Sequence, residues 1–210
     1  MTAHAATRSR AAERRVPLAK TRARAARMAP PRDFFAALSA PGVRVIAEIK
    51  KSSPSRGALA TRVDPGRIAN AYESGGAAAL SVLTEPKYFR GSLADMRAAR
   101  AAVKIPVLRK DFIVSEYQIA ESRAAGADSC LLIVALLGPA RLRVFLRAAR
   151  ADGMEPLVEA EDARGIKIAL RAGAKIIGIN NRDLRTFRVD PRKALRLLPT
   201  KRARRGRVYV

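Results

Sequence analysis

The sequence has few of the residues that build the most easily recognised sites. Its 210 residues include one cysteine, one histidine and no tryptophan, and only 5% are aromatic. A lone cysteine excludes a disulfide framework and fits a reducing compartment, taken here as the cytoplasm. That residue, Cys130, lies in the apolar run CLLIVALL and reads as a buried, inert thiol. The one histidine, His4, sits in a polar leader, which leaves neither a His-based metal centre nor a Ser/His/Asp triad. No apolar run approaches the roughly 18 residues that cross a bilayer. The leader also lacks the apolar segment of a secretory signal.

Acidic residues are scarce as well: 18 Asp and Glu stand against 42 Lys and Arg, a formal charge of +24. A surplus of that size points to a polyanion unless it is confined to part of the chain. Residues 1–32 carry nine Lys/Arg and one Glu, and residues 191–210 carry eight Lys/Arg and no acid. The remaining stretch is only mildly basic. The first 33 residues contain no aromatic side chain, and the C-terminal cluster has only Tyr209. Nucleic-acid platforms interleave cations with stacking rings, so no specific nucleic-acid partner is expected. The Arg/Ala-rich leader is read as a solvated or partly helical arm, with an organelle transit peptide as the alternative.

Hydrophobic residues make up 49% of the chain, and from residue 43 they follow a rhythm. Short apolar runs at 43–49, 78–84, 105–112, 129–136, 154–160 and 175–181 read as strands, separated by Ala/Arg/Leu-rich stretches of helical period. Three of those stretches end alike, in ESGGAAAL, RAAGADSC and RAGAKIIG, where Gly closes a helix before the next strand. Alternating strands and helices imply a parallel sheet covered by helices, either doubly wound or a (β/α)8 barrel. The absence of G-x-G-x-x-G after the first strand, and of any P-loop, weakens a nucleotide-binding sheet.

The polar residues inside these strands are more informative. In VIAEIKKSSPSRG (45–57), Ile46, Glu48 and Lys50 fall on one face, because alternate residues of a strand point the same way. Leu108 and Lys110 share a face, as do Leu157 and Glu159, and Ile176, Gly178 and Asn180. Each face begins apolar and ends polar at the C-terminal end of its strand, where barrels carry catalytic groups. Two acids, two lysines and an amide around one pocket suit general acid–base chemistry, and the lysines with Ser53 and Ser55 suit an anionic substrate. The alternative is a set of strand-end charges solvated at the rim.

At these residues the chain resembles indole-3-glycerol phosphate synthase, a (β/α)8 TIM-barrel enzyme of tryptophan biosynthesis, over roughly residues 16 to 199. The resemblance rests on PPRDFFAAL, VIAEIKKSSPSRG, ALSVLTEPKYFRGS, IPVLRKDFIVSEYQIAESRAAGAD, PLVEA and IIGINNRDLRTFRVD. It implies closure of an indole ring on carboxyphenylamino-deoxyribulose phosphate, with loss of carbon dioxide and water and with no cofactor. It makes Lys110 the general acid and Glu159 the base that completes dehydration. Glu48 assists proton transfer and holds Lys110, and Asn180 orients the acid. Lys50, Ser53 and Arg182 bind the anionic groups, while Phe89, Phe112 and Leu131 form a slot for the aromatic ring. A complete protein of this kind is expected to be a monomer that takes a small-molecule substrate and uses no membrane.

After RVDPRKALRLLP the pattern departs: TKRARRGRVYV stands where the family continues through two more strands. The expectation is about six of the eight βα units, with RVYV leaving room for a short seventh strand. It divides the chain into a basic arm (1–32), an incomplete barrel (33–199) and a basic tail outside the family pattern (200–210). An inactive truncated remnant is the alternative this raises. Another phosphate-binding barrel, or a subunit completed by a second chain, is a weaker reading.

Overall fold

A computed structural model describes residues 2–54, 57–59, 63–182, 189–200 and 205–210. In chain order the elements are α1 (Thr2–Arg15), α2 (Leu18–Ala26), α3 (Phe34–Ser39), β1 (Ile46–Ile49), β2 (Ser52–Ser53), β3 (Gly57–Ala58) and α4 (Pro65–Ser74). Then follow β4 (Ala79–Leu83), α5 (Leu93–Ala102), β5 (Val107–Lys110), α6 (Glu116–Ala124), β6 (Ser129–Ile133) and α7 (Val134–Ala151). The last are β7 (Leu157–Ala160), α8 (Ala163–Arg171), β8 (Ile176–Ile179), α9 (Lys193–Leu197) and β9 (Val208–Tyr209).

The six expected strands are all present, a few residues shorter than read, and RVYV supplies a seventh. They form one parallel sheet in the order β1-β4-β5-β6-β7-β8-β9, while β2 and β3 make a separate antiparallel hairpin. This is a partial (β/α)8 barrel: sequential strands lie side by side, each joined to the next through a helix on the outer face. One expected boundary was wrong. The apolar run at 129–136 leaves the strand at Ile133, and its last residues begin α7. Periodicity cannot separate a buried strand from a buried helical turn in so short a run. Gly138, at φ +65° and ψ 175°, then breaks α7, and Pro139 opens its main part.

Local chemistry sets the helix ends. Asp64, Ser92, Ser115 and Asp162 cap the starts of α4, α5, α6 and α8, each accepting from a backbone N–H two or three residues on. Gly76, Gly126 and Gly173, the three glycines marked in the sequence, have φ of +86°, +91° and +85° at the helix exits. Gly lacks the Cβ that makes this left-handed turn costly.

The pleat separates two apolar layers. Leu80, Val82, Val107, Cys130, Leu132, Val158 and Ile177 face the helices. Ala79, Leu108, Leu131, Ile133, Leu157 and Ile176 face inward, joined by Phe34 and Leu38 of α3. Burial pushes the Cys130 thiol up to about 12, so it stays neutral and inert, as expected. The arm is helical and docked rather than solvated: Ala5, Ser9, Thr21 and Ala25 are buried, and α2 packs on α6. Arg22 pairs with Glu116 at 2.9 Å, and Arg32 donates to the Ile105 carbonyl at 2.8 Å.

On the outer face of β5 lies a charged network that the sequence reading passed over. Arg109, 2% exposed, pairs with Asp111 at 3.0 Å and Glu121 at 2.9 Å. It also donates to Thr84 Oγ1, Ser122 Oγ and the Gln118 carbonyl, each at 3.1 Å. Asp111 accepts from Thr84 at 2.7 Å and from Arg8 of α1. Burial alone would raise the Asp111 carboxyl, but the charges of Arg109 and Arg8 outweigh it and hold the group below the usual carboxylate range. A carboxylate whose pKa is depressed by folding stabilises the fold above its unfolded value of 3.8, and that contribution fades as pH falls through the lower folded value. Asp111→Asn should therefore cost about 3–5 kcal/mol in urea unfolding at pH 7, because it strands a buried guanidinium. Below pH 3.8 the gap between variant and parent should narrow.

Candidate active site

The inward faces of the strands converge on a cavity of about 290 Å³ at their C-terminal ends. Glu48, Lys50, Phe89, Lys110, Phe112, Leu131, Glu159, Asn180 and Arg182 all line it. The register explains the convergence. Glu48 stands beside Ser81, Leu83 beside Lys110, and Ile133, Glu159 and Gly178 lie in one row across β6, β7 and β8. Ser53, on the β2 hairpin, is not among the described residues that line the cavity. Ser55 lies outside the described residues.

The polar groups form two linked sets. Glu159 accepts from Lys110 Nζ at 3.2 Å on one oxygen and from Asn180 Nδ2 at 3.1 Å on the other. Asn180 in turn accepts the backbone N–H of Arg182 at 2.9 Å, which fixes the orientation of its amide. Across the cavity, Lys50 Nζ pairs with Glu48 Oε1 at 2.6 Å, and Ser81 Oγ approaches Glu48 Oε2 at 3.5 Å. Lys110 is therefore held by Glu159, while Glu48 holds Lys50 in place of the Lys110 the resemblance had assigned to it. The wall beside these groups is apolar: the Phe89 and Phe112 rings lie 6.3 Å apart, tilted by 46°, near Leu131 and Ile133. Rings at that separation and tilt attract one another and leave a flat face for a planar guest. The cavity thus sets an ammonium, carboxylates and an amide within reach of an aromatic ligand.

The family model for indole-3-glycerol phosphate synthase matches residues 1–210. The chain belongs to the indole-3-glycerol phosphate synthase family. Its members are decarboxylating lyases of tryptophan biosynthesis. The indole-3-glycerol phosphate synthase of Parafrankia sp. (strain EAN1pec) is 54% identical over 187 residues, which are 89% of this chain and 70% of that protein. Indole-3-glycerol phosphate synthase 2 of Streptomyces coelicolor is 54% identical over 186 residues, 89% of this chain and 71% of that one. The Mycobacterium tuberculosis (strain ATCC 25177 / H37Ra) protein of the same name is 51% identical over 189 residues, 90% of this chain and 70% of its own length. Among solved structures, mandelate oxidase with benzoyl-formic acid superposes with a TM-score of 0.50 at 16% identity, over 65% of this chain and 49% of that one. That likeness speaks to the barrel fold alone. The chain spans less than half of the mandelate oxidase structure.

Four residues that line the cavity were missed in the sequence: Leu83, Glu85, Asp111 and Ile133. The signal for Glu85 was available. Carried through β4, the alternation that picked Lys110 and Glu159 runs Ala79, Ser81, Leu83 and then Glu85, again apolar first and polar at the end. Asp111 follows the opposite parity and reaches the cavity wall only because the chain leaves the strand there.

The Lys110–Glu159 pair is part-buried, so its two ends should be coupled. A double-mutant cycle with Lys110→Met and Glu159→Gln, read by urea unfolding, should give a coupling of about 1 kcal/mol. A coupling of zero would mean the pair does not persist in solution.

Proposed function

We propose that the substrate is carboxyphenylamino-deoxyribulose phosphate and that the cavity closes its indole ring, giving indole-3-glycerol phosphate. The observation that carries this reading is the Lys110–Glu159–Asn180 chain standing against the Phe89–Phe112 wall. The substrate's aromatic ring lies in the slot of Phe89, Phe112 and Leu131. Lys50 binds its phosphate, with Ser53 on the neighbouring hairpin outside the cavity lining as its further partner, and Arg182 receives its carboxylate.

The reading assigns each proton transfer to one of these groups. Lys110 protonates the ketone oxygen as the ring carbon bearing the carboxylate attacks the carbonyl carbon. The ketone becomes a hydroxyl, and the positive charge is delocalised over the ring and its amine nitrogen. Carbon dioxide then leaves, and its bonding pair returns to the ring and restores aromaticity. The hydroxyl departs as water while Glu159 takes the proton from the adjacent carbon. Glu48 relays protons to the hydroxyl and keeps Lys50 in place, and Asn180 aims Glu159. The electrons released by decarboxylation remain within the substrate.

The protein works on this small molecule as a monomer in the cytoplasm. No helix among the described residues is long and apolar enough to cross a membrane. Positioned acids and bases contribute about 10²–10⁴-fold. Lys110→Ala and Glu159→Gln should each lower kcat by that factor in a fluorescence assay for indole-3-glycerol phosphate on the purified chain. Turnover that survives Lys110→Ala, or a folded parent chain that never turns over, would sink the proposal.

A further inference from the structure

The loop between β4 and α5 carries Phe89 to the cavity. It belongs to no helix or strand, so something must fix it. Glu85 is 1% exposed, and its carboxylate is surrounded by the backbone of its own loop. It accepts the N–H of Lys87 at 3.1 Å, Tyr88 at 2.6 Å and Phe89 at 3.3 Å. Its carbonyl takes the N–H of Gly91 at 3.0 Å, so both ends of the loop are tied to one residue. The return is tight. Arg90 has φ +53°, and a Cβ on Gly91 would lie 2.1 Å from the Leu83 carbonyl oxygen. From outside, α1 presses on the same point: His4 Nε2 is 3.7 Å from Glu85 Oε1, and its ring meets Tyr88 edge-on at 6.2 Å.

A buried carboxylate that accepts three consecutive amides is a rigid cap, because charge-assisted hydrogen bonds are stronger than neutral ones and these three converge on one side chain. None of its bonds goes to a group with a role in ring closure. Yet Glu85 lines the cavity, and the third amide it holds is that of the residue forming the aromatic wall.

We propose that Glu85 is a positioning residue for the substrate's aromatic ring: it gathers the 87–89 amides and so sets Phe89 opposite Phe112. This rests on the reading that the slot takes the substrate ring. It leaves Lys110 and Glu159 untouched, so its loss weakens binding of the ring more than it slows the proton transfers.

The chain contains no tryptophan, so Phe89→Trp places a single reporter on the loop. Its emission should be that of a partly buried indole. Adding Glu85→Ala should shift the emission to the red and raise acrylamide quenching, with α-helical circular dichroism unchanged. Glu85→Gln keeps the shape and one carbonyl acceptor and should shift it less. In the chain without the reporter, Glu85→Ala should lower kcat/KM by roughly ten- to a hundredfold, mostly through KM, as loss of uniform binding does. Glu85→Asp should recover part of that loss.

Unchanged emission and quenching in both Glu85 variants would overturn the proposal. So would a released loop with normal kcat/KM, or a loss confined to kcat. If the parent chain has no turnover, the function reading falls, and the fluorescence arm alone still decides whether Glu85 sets Phe89. If Glu85→Ala does not fold, Glu85→Gln carries the same comparison.

Discussion

The buried pair of Arg109 and Asp111 is the constraint around which this molecule is arranged. A charge in the layer between sheet and helices is tolerable only when every donor and acceptor is met, and here five residues from three segments supply partners. Thr84 comes from the end of β4, Gln118, Glu121 and Ser122 from α6, and Arg8 from α1. Asp111 also receives the N–H of Phe112 at 2.8 Å. The same carboxylate therefore neutralises a buried cation, tethers the N-terminal helix and directs an aromatic residue of the slot. Lys110, between the two charged residues, points the other way. One strand end thus serves the framework with two side chains and the cavity with the third.

The strand-and-helix rhythm was legible because buried parallel strands read as apolar runs, and because Gly76, Gly126 and Gly173 mark the helix exits. The cavity was legible for a narrower reason. Glu48, Lys110, Glu159 and Asn180 break apolar faces at the one end of each strand where a barrel can wet them. Arg109 was not legible by this route. Its parity places it on the helix face, where an arginine normally reads as an exposed charge, and the partners that permit its burial lie up to 25 residues away in sequence. The Glu48–Lys50 pairing was hidden too, since parity says which side chains share a face and not which of them touch. The end of β6 was missed because CLLIVALL is apolar on both sides of the break.

The basic composition takes on a different meaning in the folded chain. Several arginines of the first 32 residues are structural fasteners: Arg8 on Asp111, Arg22 on Glu116, and Arg32 on the Ile105 and Arg100 carbonyls. Arg32 also donates its backbone N–H to Asp128, which pairs with Arg100 at 2.9 Å. Guanidinium suits this work because it offers several donors in a fixed plane. A count of charge says less about partners when some of the charges are paired within the fold.

The docking of α1 also fixes an order of assembly. Arg8 and Asp111 are 103 residues apart, so the ion pair that ties α1 to the sheet cannot form until β5 has been made. At about 5–20 residues per second that delay lasts several seconds. A lone helix of 14 residues is marginal in water over that interval. The nascent chain must therefore lay down β1, β4 and β5 before Arg8 can reach its carboxylate, and the two loops beneath α1 are closed by a helix that is made before either of them.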